Sequence, residues 1–133
     1  MKLYTLTIAI LFSLIAFSCN NYGNNKPEVI EFNDGQKWEV NAEMTPHILD
    51  GEKILKEFNG DNFTDLAQQL KDKNNALIKS CNMKGKSHDE LHKWLHPHLQ
   101  LVNELSKAEN KQKAEEIITK LKKSYETYNT YFQ

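Results

Sequence analysis

The residues of this 133-residue chain with chemistry to offer are its five histidines, two cysteines and three methionines. His88, His92 and His96 recur at every fourth position. On a helix that spacing stands side chains one above another, and two imidazoles so placed are a common way to hold one metal ion. A thiol and a thioether, Cys81 and Met83, lie just upstream, with Met44 and His47 earlier in the chain. Imidazole with sulfur suits a soft transition metal, copper above all and Cu(I) in particular; calcium and magnesium want oxygen. There is no CxxC pair, HExxH helix or EF-hand loop, so the chemistry depends on scattered residues converging in space.

What must bring them together is a set of four amphipathic segments. The first carries Met44, His47, Ile48, Gly51, Ile54, Leu55 and Phe58 at intervals of three and four, with Thr45-Pro46 near its start and Asn59-Gly60 at its end. The second carries Phe63, Leu66, Ala67, Leu70 and Leu77, opens at Asp61 or Asn62, and puts Asn74 on its inner face. The third opens at Ser87-His88-Asp89-Glu90, the pattern of a capping box, and runs through Leu91, Trp94, Leu95, Leu99, Val102 and Leu105. Its register turns His98 toward the core and His96 toward solvent, and Pro97 removes one backbone hydrogen bond. The fourth carries Ala114, Ile117, Leu121, Tyr125, Tyr128 and Phe132, and either Ser106 or Asn110 caps its start.

Short connections between helices make antiparallel neighbours. The expected fold is therefore all-α, an up-down-up-down antiparallel four-helix bundle over residues 38–133, with Trp38 and Val40 closing one end of its core. No strand-period run or hairpin signal competes with it. Chain direction then gathers the start of the first and third helices and the end of the second and fourth at one pole. Met44, His47, Cys81, Met83, His88 and His92 are the candidate metal ligands at that pole, with Tyr125, Tyr128 and Tyr131 beside them.

The N-terminus reads separately. Met1-Lys2 precede an almost wholly apolar run over 3–17, short for a bilayer span of about 20 residues, which ends at Ala16-Phe17-Ser18-Cys19. This segment resembles a bacterial lipoprotein signal. Ser18 and Cys19 match that pattern, while Ala16 stands in place of Leu and Phe17 is bulky for its position. The resemblance implies removal of 1–18, a lipid such as palmitate on Cys19, and a membrane-anchored protein in the cell envelope facing the periplasm or the exterior. Residues 19–37, rich in Asn with Gly and Pro, read as a flexible tether. A lipidated Cys19 leaves Cys81 a lone thiol; plain secretion would let the two pair.

Composition excludes several classes. Lysines number seventeen, arginine is absent and the net charge is −1. Nucleic-acid binding expects a basic surplus and arginine forks, so no such partner is expected. An enzyme is not expected either, since Cys81 and a nearby His lack an orienting acid at a recognisable spacing. Three functions remain: a transition-metal binder, a haem protein, or a cofactor-free interaction module on the membrane. The haem reading is similar to the four-helix-bundle b-type cytochromes, in which a Met of the first helix and a His of the last hold the iron. Met44 fits the first role, but the last helix has no His, so His88, His92 or His98 of the third helix would supply the second ligand.

Overall fold

Apolar residues at intervals of three and four fold into four helices: α1 (Thr45–Glu57), α2 (Phe63–Ser80), α3 (Lys86–Leu105) and α4 (Lys111–Tyr131). The computed structural model describes residues 28–133; the expected signal peptide, Cys19 and the first part of the tether lie outside the described residues. Among the described residues the only β pairings are two isolated bridges. No described helix is long and apolar enough to cross a membrane. The all-α expectation holds.

Three of the four helix starts have a local cause in their own residues. Pro46 sits in the first turn of α1, where a missing N–H costs nothing. Asn62 Oδ1 accepts the Asp65 amide at 3.1 Å. Asn110 Oδ1 accepts the Lys113 amide at 2.8 Å, so Asn110 rather than Ser106 opens α4. The expected Ser87–Glu90 capping box does not form: the residue before the first turn of α3 is Gly85, two positions earlier, at φ 71° and with no side-chain cap. Glu90 is 3% exposed and already engaged. Its carboxylate accepts the Glu31 amide at 2.9 Å and Lys93 Nζ at 2.7 Å. Burial pushes the Glu90 pKa up, but those two hydrogen bonds and the charges of Lys93 and Lys86 together outweigh it and hold the carboxyl below the usual range.

The same contact reaches into the segment expected as a tether, where Val29, Glu31 and Phe32 touch the bundle. Glu31 is tied to Glu90, and its carbonyl accepts Trp38 Nε1 at 2.6 Å. Asn33 and Gln36 bond each other in both directions at 2.9 Å across a tight turn. Asp34 and Gly35 in that turn have φ of 50° and 83°, the geometry that Asp-Gly favours between paired residues. Sequence reasoning missed this dipeptide as a turn signal. Beyond it the Trp38 amide donates to the Tyr131 carbonyl at 2.8 Å and the Trp38 carbonyl accepts the Gln133 amide at 3.0 Å, which holds the buried Trp38 against the end of α4.

Packing fixes the helix directions. Asn41 meets the Ser80 carbonyl, Asp50 meets Lys73 and Phe58 meets Phe63, so α1 and α2 run oppositely. Thr64 and Ser106 share one end of the α2–α3 seam, and Cys81 and His88 share the other. Trp94 and His98 of α3 lie on Ser124, Tyr125 and Tyr128 of α4. Leu70, Leu91, Ala114 and Leu121 are wholly enclosed between these helices.

Candidate functional site

A groove of about 440 Å³ opens where α2 ends and α3 begins. Met44, Cys81, Met83, His88 and His92 all line it, with Leu91 and Leu95 also in its wall. Chain termination positions the sulfurs. Cys81 is the extended residue that ends α2, its amide on the Ile78 carbonyl at 3.3 Å, and Met83 follows in the turn to α3. Both are half-buried, and Met44 is 1% exposed. The groove thus grades from exposed imidazole to enclosed thioether.

The imidazoles form a ladder on α3. Ring centroids of His88 and His92 are 4.2 Å apart, and those of His92 and His96 are 4.8 Å apart. His96 is exposed, as its register implies, yet it also lines the groove, which sequence reasoning missed. Burial first, and then the nearby charge of His88 and His96, lowers the His92 pKa; Asp89 opposes the shift. His92 is therefore held in the neutral form that a metal requires.

His47 does not join them. It is absent from the groove lining, half-buried, and close enough for its charge to act on Asp50. The inward positions of α1 are taken by Ile48, Gly51 and Leu55, which leaves His47 on the flank of the helix. The tyrosines also serve elsewhere: Tyr131 packs on Phe32 at 4.6 Å, and Tyr128 stacks on Phe132 at 5.3 Å. Among the described residues, no three His, Cys, Asp or Glu side chains are grouped so as to hold a metal ion. Any ligand set here must draw on the methionines.

His98 occupies a different place. It is fully buried, stacked on Trp94 at 4.8 Å and edge-on to Tyr125 at 4.8 Å. Its Nδ1 lies 2.9 Å from Ser124 Oγ, and Trp94 Nε1 donates to the Ser124 carbonyl at 2.8 Å. His98 Nε2 and Tyr128 Oη are buried and lack a hydrogen-bond partner among the described residues. Burial pushes the His98 pKa down to about 4 and the Tyr128 pKa up to about 12. His98 is not among the residues lining the groove that holds Met44, so that groove does not assemble the Met44–His98 haem pair.

A second groove, about 270 Å³, continues along the α2–α3 seam toward the opposite pole. The two grooves meet at Ile78 and Leu99. The chain matches no protein-family model, no curated protein and no solved structure.

Proposed function

We propose that the chain is a lipid-anchored envelope protein that binds a soft transition metal, Cu(I), at the α2–α3 pole. The carrying observation is that Met44, Cys81, Met83, His88 and His92 line one groove. His88 and His92 supply nitrogen donors from one helix face, and Met44 or Met83 completes the set with sulfur. A mixed nitrogen and sulfur set of this kind favours Cu(I) and discriminates against hard cations. His47 is not part of the set. The lipoprotein-like signal supports a role in capturing or buffering the ion at the membrane, with no reaction catalysed.

Anaerobic titration of the full chain with Cu(I) against a competing chelator tests the reading. One ion should bind, and His88→Ala or His92→Ala should weaken it at least about tenfold. Met44→Leu and Met83→Leu keep the apolar volume while removing a sulfur; at least one should weaken Cu(I) and leave Zn(II) unchanged. A chain that leaves all the Cu(I) on the chelator, or variants with unchanged affinity, would overturn it.

A further inference from the structure

The groove that holds Met44 has a wall without carboxylate or lysine. Its polar groups are imidazole, thiol and thioether, and the rest is hydrocarbon, Leu91 and Leu95 included. A cation moving along such a wall sheds water and meets no counter-charge, so at every point it needs donor atoms in place of the water. Three imidazoles stand along this path. His96 is exposed, and His92 and His88 are half-buried. The sulfurs belong to the His88 end: Met83 lies in the turn before α3, and Asn41 ties the start of α1, with Met44, to the end of α2. The ring centroids step by 4.2 Å and then 4.8 Å. Metal–imidazole bonds are about 2.0–2.1 Å, so one ion can bridge two neighbouring rings. His88 and His96 are separated by about 12 Å of helix rise, which one ion does not span. His92 is therefore common to two pairs, of which only the inner one has sulfur beside it.

We propose that His96 is the entry ligand of this groove: Cu(I) binds first between His96 and His92, and then passes to His88, His92 and a methionine sulfur. The proposal rests on Cu(I) being the cargo of the groove. The outer pair is a stop on the way, because two imidazoles without sulfur hold the ion but do not close around it. In the hand-over the bond to His96 breaks and bonds to His88 and to sulfur form. His92 turns its ring to follow the ion, so Cu(I) is never without a donor. The copper stays Cu(I) and no electron moves. One four-residue step is about 6 Å, so the bound ion faces the inner donors at an effective concentration on the order of mM, which makes the hand-over faster than a fresh capture from solution.

Anaerobic stopped-flow mixing of the full chain with Cu(I) on a weak chelator follows loading, and mixing the loaded protein with excess strong chelator follows release. His96→Gln puts a side chain of similar size, a poor donor for Cu(I), at an exposed position. It should slow loading at least about tenfold. Affinity should change by less than about twofold, because His96 is not in the final set, so release must slow by about the same factor as loading. His96→Met returns a soft donor and should restore both rates to within about threefold of the parent. His88→Gln should do the opposite, weakening affinity by about tenfold or more while first capture keeps the parental rate. A His96→Gln protein that loads at the parental rate, one whose affinity falls as far as its loading rate, or a His96→Met protein no faster than His96→Gln would each overturn the entry role. If the parent binds Cu(I), any of these results overturns that role alone; a parent that takes up no Cu(I) overturns the copper reading and the entry role with it.

Discussion

His98 makes the fold sensitive to acid. Its ring is enclosed between α3 and α4, and burial takes its pKa from 6.5 to about 4. In the unfolded chain the ring takes up a proton near 6.5. Above that pH both states are neutral and the group contributes no pH dependence. As pH falls from 6.5 toward 4, the unfolded chain is protonated while the folded one is not. Stability is therefore lost across that window and levels off below it. Each unit is worth about 1.36 kcal/mol, so moving from about pH 7 to about pH 5 costs about 2 kcal/mol, and the whole window about 3. That is a large share of the ~5–15 kcal/mol that holds a domain together. Urea unfolding at about pH 7 and about pH 5 measures it, compared with His98→Gln, which cannot titrate. The interval from about pH 7 to about pH 5 stays above the ordinary carboxylate range, and Glu43, Asp50 and Glu90 are lowered further from it. His92 shifts in the same direction as His98, but it is present in both proteins and cancels. The parent should lose about 2 kcal/mol more than the variant over this interval. Equal pH slopes would refute the claim that the folded interior holds His98 neutral.

Two further expectations follow from packing. A Cβ added at Gly51 would overlap Tyr125 Oη, whose ring is 3% exposed and has little room to retreat. Gly51→Ala should therefore destabilise by about 1–2 kcal/mol despite alanine's better helix propensity, and in a Tyr125→Phe background it should become stabilising by up to ~1 kcal/mol; thermal melts of the four proteins give the coupling. Glu90→Gln weakens the acceptor for the Glu31 amide and Lys93, so residues 28–37 should become more sensitive to limited proteolysis, with a stability loss of about 1–3 kcal/mol in urea.

The helices were legible because periodicity and capping are local. Asn62 and Asn110 announce their helices by type and position, and Leu66, Leu70 and Leu77 mark the buried face of α2 without any knowledge of its neighbours. The capping box at Ser87 had the same local warrant and failed, because a residue fifty-nine positions away claimed the Glu90 carboxylate. The segment before Trp38 has the same limit. Its composition reads as flexible, yet Glu31 and Phe32 find partners on α3 and α4. His47 shows the limit of placing residues by pole alone. Being at the right end of a helix does not turn a side chain toward a particular groove; a rotation of one residue, about 100°, removes it.

The chain's own order of residues determined how many helices form, which face of each is apolar, and that sulfur and imidazole cluster near the end of α2 and the start of α3. These follow from interactions within a few positions, which any copy of the segment would make. Only the packed bundle decided which of those groups share a groove and that His98 stays uncharged inside an aromatic box. Such properties depend on the rotation and spacing of neighbouring helices, and on the water that their contact excludes. Both arise only when four faces close on one another.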